Sequence, residues 1–243
     1  MRNLYTLALL TAGLVYGQAP VTHTARLSNI GSPQGIQEAL TVLRTVADMR
    51  AVSADTANSA ISYTGTANEV ALADWIVSAI DVAGPMAPQQ YSVPGAGDDI
   101  VKVIYLRNTK TPQGVQELLT QMRTVISVAK IFNVTHSGTF VMRGNSALIA
   151  SGTWLMAQLD KPFDPAAAPA TYAMGSNQVK VYYLHNITSP QSTQELLTAI
   201  RLQARVNHAF VSNGIHAIAL LGDSDQIATA NALVAQRDIP TAR

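Results

Sequence analysis

Thr111–Arg123, TPQGVQELLTQMR, is written three times in this chain: Ser32–Arg44 reads SPQGIQEALTVLR and Ser189–Arg201 reads SPQSTQELLTAIR. Pro33, Pro112 and Pro190 stand 79 and 78 residues apart. Each copy opens as a helix does. A Ser or Thr at the N-cap offers its hydroxyl to an orphan backbone N–H, and proline follows at the first helical position, where its fixed φ fits. Apolar residues recur at helical spacing: Ile36, Ala39, Leu40, Leu43; then Val115, Leu118, Leu119, Met122; then Leu196, Leu197, Ile200. Such a stripe must lie on something, so each helix is half of a packed unit.

The register extends beyond the helix. Asn29, Asn108 and Asn186 precede it at one offset, while Gly65, Gly144, Gly222 and Asp81, Asp160, Asp238 follow at others. Self-similarity of this length means one supersecondary unit used three times. The second copy spells it most clearly. Val101–Leu106 is a β-branched, aromatic-rich strand, and the capped helix follows. Lys130–Val134 and Thr139–Arg143 flank a Thr-His-Ser-Gly turn, and a last helix opens at Asn145 or Ser146.

The expected fold class is α/β (α+β): three tandem β-α-β-β-α units, each a three-stranded sheet with two helices on one face. A right-handed crossover makes strands one and two parallel, with strand three inserted antiparallel between them. The expected boundaries are 1–17 leader, 18–81 unit 1, 82–98 linker, 99–160 unit 2, 161–177 linker and 178–243 unit 3. Both linkers are Pro/Ala/Gly-rich and read as semi-rigid spacers on which the units pivot.

Met1-Arg2-Asn3, the apolar run Leu4–Val15 and small residues at Gly17 and Ala19 have the pattern of a secretory signal peptide. The expected location of the mature chain is therefore the periplasm or the outside of a bacterial cell. There is no cysteine, so stability must come from apolar cores, for which a hydrophobic fraction of 48% is ample. Lys+Arg number 16 against 15 Asp+Glu, and that balance argues against nucleic acid as a partner.

The pattern of Val101–Pro162 resembles the short periplasmic N-domains of bacterial secretins, the ring-building modules ahead of an outer-membrane pore. The matching features are a strand ending Tyr105-Leu106, a helix with Glu117-Leu118-Leu119, the strand Phe140–Gly144 and a closing Gln158-Leu159-Asp160-Lys161-Pro162. Val181–Pro240 matches similarly, and unit 1 loosely. The pore-forming region of that family is not part of the pattern. The resemblance implies assembly through domain sides.

Chemistry-bearing motifs are sparse. His23, His136, His185, His208 and His216 include no HExxH pair, and no third ligand joins His208 and His216 across the last hairpin, so no metal or cofactor is expected. Ser127-Val128-Ala129-Lys130 spells S-x-x-K without its companion motifs. Asp223 and Asp225 read as a helix start. An RNA module of KH type needs a GxxG clamp and a basic face, and neither is present.

What recurs is polar. Gln34, Glu38 and Arg44, then Gln113, Glu117 and Arg123, then Gln191, Glu195 and Arg201 flank the apolar stripe. They form the candidate interaction surface, on which Glu and Arg are expected to be exposed and to pair with a neighbouring copy; the alternative is a plain solvated face left by duplication. The expected function is an exported, non-catalytic scaffold or oligomerisation protein. The alternative is a periplasmic hydrolase using a cleft between units, although no nucleophile–base pair is visible.

Overall fold

A computed structural model of the chain describes residues 19–240. The expected leader lies outside them. Unit 1 runs β1 (Val21–Arg26), α1 (Pro33–Thr45), β2 (Ala51–Asp55), β3 (Ala60–Gly65) and α2 (Ala67–Ile80). Unit 2 runs β4 (Gln89–Ser92), β5 (Ile100–Tyr105), α3 (Pro112–Thr124), β6 (Lys130–Val134), β7 (Thr139–Gly144) and α4 (Ser146–Leu159). Unit 3 runs β8 (Ala170–Met174), β9 (Asn177–Tyr183), α5 (Pro190–Gln203), β10 (His208–Ser212), β11 (Ala217–Gly222) and α6 (Ser224–Arg237). The α+β class and the β-α-β-β-α order are those expected.

The repeated helix starts as its sequence dictates. Ser32, Thr111 and Ser189 accept from Gly35 N, Gly114 N and Ser192 N, each at 3.1 Å, with proline in the first turn. Glycine at 35 has a steric reason, because a Cβ there would stand 2.2 Å from the Ile30 carbonyl oxygen. In every unit the hairpin places the third core strand between the other two, antiparallel to both.

Two features depart from the expectation, and both lie in the segments read as linkers. Each carries an edge strand: β4 pairs antiparallel with β5, and β8 with β9, so the sheets of units 2 and 3 have four strands. Tyr91 on β4 packs on Trp75 of α2 at 5.3 Å between ring centroids, and Tyr172 on β8 packs on Trp154 of α4 at 5.4 Å. A two-residue turn, Gly175-Ser176, joins β8 to β9 with Gly175 at φ 61°, a conformation that favours glycine. These segments are folded against both neighbouring units, so they are not spacers on which units pivot. At the last hairpin a single 3-10 turn, Asn213–Ile215, leads from β10 to β11.

The units are stacked. One face of each sheet packs on its own two helices. In unit 2 those residues are Ile104, Ile131, Phe140 and Met142 against Leu118, Leu119, Met122, Ile149 and Leu155. The opposite face packs on the helices before it. Val101, Val103, Tyr105, Val134 and Val141 of unit 2 share one core with Leu40, Val42, Leu43, Ile76 and Ile80 of unit 1. Val179, Val181, Tyr183, Ala217 and Ala219 of unit 3 join the core of unit 2 in the same way. Sheet and helix layers therefore alternate along the chain. Burying both faces of sheets 2 and 3 relieves the small-domain problem, since a unit of about 60 residues alone buries a smaller fraction of its surface than a larger domain does.

Candidate interaction surface

The repeated helix carries two stripes. The apolar one faces its own sheet. A second one, at i, i+3, i+4 and i+7, holds Glu38, Thr41, Val42 and Thr45 on α1 and Glu117, Thr120, Gln121 and Thr124 on α3. This stripe receives the outer edge strand and hairpin of the next unit.

Glu38 accepts from the Thr135 backbone N at 2.9 Å, at the tip of the β6–β7 hairpin. Glu117 accepts from Asn213 N at 2.9 Å and Asn213 Nδ2 at 2.6 Å, in the connection between β10 and β11. Gln34 and Gln113, one turn earlier, donate to the same carboxylates at 3.0 Å and hold them in place. Val42 and Gln121 are completely buried at the same position of the two helices, and Gln121 Nε2 donates to the Val211 carbonyl of β10 at 3.3 Å. One turn on, His208 Nδ1 lies 2.7 Å from the Thr124 carbonyl oxygen.

The unit 1–unit 2 junction adds a charged latch. Arg143 forms a bidentate pair with Asp99 through Nε at 3.0 Å and Nη2 at 2.6 Å, and its Nη1 donates to the Val46 carbonyl at 3.1 Å. The Asp99 carboxylate beside it raises the Arg143 pKa further above an already high value. Asp48 pairs with both Lys130 and Arg143. Hydroxyls also cross the junctions: Tyr105 Oη donates to Ala79 O at 2.7 Å, and Tyr183 Oη to Gln158 O at 3.1 Å. Burial pushes the pKa of both phenols up.

The arginines of the expected surface act within their own units. Arg44, Arg123 and Arg201 donate to the edge-strand carbonyls of Val52, Ile131 and Ala209 at 3.0, 3.0 and 2.6 Å. Each pins the last turn of its helix to the adjacent strand. Glu195 is held by Gln191 at 3.1 Å but is exposed.

One cluster carried no signal in the sequence. His23 Nδ1 and the Tyr63 hydroxyl both bond Asp74 Oδ1, fastening β1 to α2. Asp74 stands where the other units have Thr153 and Asn231, so the repeat gave no hint of it. Burial and the Asp74 carboxylate raise the Tyr63 pKa well above its ordinary value. The remaining histidines are dispersed. His136 lies in its hairpin turn, His185 Nδ1 bonds the Pro165 carbonyl, and His216 stacks on Phe163 at 4.9 Å. Ser127 sits in a turn at φ 63° while Lys130 is paired with Asp48, so the S-x-x-K residues serve a turn and an ion pair. Asp223 caps α6, accepting from Asp225 N and Gln226 N. No group of three or more metal-ligating side chains occurs among the described residues.

No protein-family model and no curated protein matches the chain. Among solved structures it is similar to Aeromonas hydrophila ExeD, with 18% identity over 92% of this chain and 42% of that one, at a TM-score of 0.23. It is also similar to the N-terminal domain of the secretin XcpQ from Pseudomonas aeruginosa, with 14% identity over 58% of this chain and 62% of that one (TM-score 0.25). The XcpQN012 structure is similar at 14% identity over 91% of this chain and 100% of its own (TM-score 0.27). The chain thus spans less than two thirds of the first two. At these values the likeness assigns no function to the chain.

Proposed function

We propose that this chain is an exported, non-catalytic scaffold that binds or assembles proteins through the outward stripe of its repeated first helix, which is open on α5. One observation carries the reading. The stripe already docks folded modules twice, by Glu38 on the unit 2 hairpin and by Glu117 on unit 3, and a third copy leaves Glu195, Thr198 and Leu202 exposed around a buried Ala199. A carboxylate that accepts backbone N–H groups at a hairpin tip reads partner shape more than partner sequence, which suits a module-docking role. The cores of the unit junctions are filled by Val101, Val103, Val134, Val141 and their counterparts. A recess beside the second junction, lined by Thr109, Lys110, Glu117, Lys161, Phe163 and Ile215 among others, holds no histidine, and its one carboxylate, Glu117, is engaged by Asn213.

In the cell, a photo-crosslinking side chain at Thr198 on the exposed stripe should give a discrete protein adduct in the envelope or secreted fraction. The same group at Thr41, half-buried in the first junction, should give none. No adduct from Thr198 or from any other exposed helix position would end the scaffold reading.

A further inference from the structure

The two ends of the stack are built differently. At positions where sheets 2 and 3 bury Val101 and Val179, Val103 and Val181, and Val141 and Ala219, sheet 1 has Thr22, Thr24 and Ser62. Their hydroxyls pair across strands, Thr22 with Thr64 at 2.8 Å and Thr24 with Ser62 at 2.7 Å. Ser53 stands where Phe132 and Phe210 meet the preceding helix. Asp55 replaces Val134 and Ser212, and it accepts from Asn58 N at 3.1 Å and Asn58 Nδ2 at 2.7 Å. Unit 1 thus supplies from within its own turn the kind of carboxylate that Glu38 and Glu117 supply to units 2 and 3. A hydroxyl-coated outer face is what a terminal repeat needs to stay in water.

The other end keeps its docking stripe. Glu195, Thr198, Ala199 and Leu202 occupy the positions of Glu38, Thr41, Val42 and Thr45, and Gln191 holds Glu195 as Gln34 holds Glu38. Leu202 is 74% exposed, the most exposed of the large apolar side chains among the described residues. On α6, by contrast, Ala232 replaces the tryptophan of α2 and α4, while Gln226 and Arg237 replace Leu148 and Leu159. The apolar support is therefore kept on α5 and trimmed on α6.

We infer that the stripe Glu195–Leu202 on α5 is an open docking surface for the apolar edge strand and hairpin of a different protein, and that a second copy of this chain is refused. This rests on the scaffold reading above and narrows it to one surface and one kind of partner. Continuity with the two internal junctions sets the geometry: an edge strand laid along α5, with its hairpin-turn amide N–H groups on Glu195. Charge sets the exclusion. In a head-to-tail dimer Glu195 would meet the Asp55–Thr56 turn, where the Asp55 carboxylate, held by Asn58, repels it, and Leu202 would meet Ala51 and Ser53 where units 2 and 3 bring longer side chains and a phenylalanine.

The test uses the full chain as its own probe. A variant with T22V, T24V, S53F, D55V and S62V gives unit 1 the outer face of unit 2. Sedimentation velocity across a hundredfold concentration range should find the wild type monomeric and this variant associating head to tail. Adding L202E or E195R should shift the apparent dissociation constant at least tenfold toward monomer. If the five-fold variant does not fold, S53F/D55V alone carries the test with a smaller shift. A folded variant that stays monomeric overturns the proposal, as does association that L202E and E195R leave unchanged. Wild-type self-association abolished by L202E overturns the refusal of a second copy. Cellular adducts formed only away from α5 would remove this surface and leave the scaffold reading standing.

Discussion

Asn108 and Asp160, 52 residues apart in sequence, clasp each other at the end of unit 2. Asp160 Oδ1 accepts from Asn108 N at 2.9 Å and from Thr109 N at 2.7 Å, Oδ2 accepts from Arg107 N at 2.7 Å, and Asn108 Nδ2 returns a bond to the Asp160 carbonyl at 2.7 Å. Asn29 with Asp81 and Asn186 with Asp238 repeat the arrangement. The C-cap of each closing helix is thereby tied to the loop that leads into the first helix, which shuts the unit.

Asp160→Ala leaves three backbone N–H groups without their carboxylate. Bonds to a charged acceptor contribute about 1.5–3 kcal/mol, so a loss of about 2 kcal/mol is expected in urea unfolding. Asp160→Asn should recover part of it, because the amide oxygen still accepts. A loss below about 0.5 kcal/mol for the alanine variant would mean that the clasp follows the fold and does not hold it.

The core of the repeat makes a larger prediction. Leu119 is 7% exposed in the layer between α3 and its sheet. Leu119→Ala should cost about 2–5 kcal/mol by lost burial and the cavity left behind. An unchanged urea midpoint would contradict that placement.

The repeat, its helix caps, the order of the three core strands and the recurrence of the Asn and Asp positions were legible in the sequence, because each depends on local chemistry repeated in register; that Asn and Asp clasp each other was not. The stacking was not. The stripe that makes it, Glu38-Thr41-Val42-Thr45, is mostly polar, and a polar stripe beside an apolar one reads as a solvated face until a neighbour's backbone is seen on it. The edge strands β4 and β8 were hidden for a related reason. Four or five residues such as Gln89–Ser92 carry too little alternation to stand out from a Pro/Gly-rich segment. Trp75 and Trp154 stand 79 residues apart, at one position of the repeat, but nothing in the sequence shows the tyrosines that cover them.

Those aromatic pairs set the behaviour of the connecting segments. With Tyr172 on Trp154 and β8 in the sheet, limited proteolysis should spare 161–177 in the wild type under mild conditions. Trp154→Ala removes the support and should make that segment the first site of cleavage. Equal cleavage rates in the two proteins would show that the stacking does not secure the strand.

Alkaline pH tests the buried phenols. Burial raises the pKa of Tyr63, Tyr105, Tyr182 and Tyr183 above the ordinary 10.0. The folded state then holds phenolic protons that the unfolded chain releases. Their stabilising contribution is complete below about pH 10 and is lost as pH climbs from there toward the folded pKa values. Thermal midpoints should fall above about pH 10, and tyrosinate absorbance from these residues should appear together with unfolding. Tyr182→Phe should make the alkaline fall shallower. Full tyrosine ionisation at native circular dichroism would contradict the burial of these rings.

The stacked junctions are most directly tested by amide hydrogen exchange at the two hairpin tips. Thr135 and Asn213 lie in turns, where exchange is ordinarily fast, yet their N–H groups donate to Glu38 and Glu117 of the preceding unit. Both amides should exchange at least tenfold more slowly than that of Thr56, their counterpart in unit 1, which no helix precedes among the described residues. Glu38→Ala should release Thr135 alone, and Glu117→Ala should release Asn213 alone. Exchange at Thr135 and Asn213 as fast as at Thr56, unaltered by either substitution, would contradict the stack.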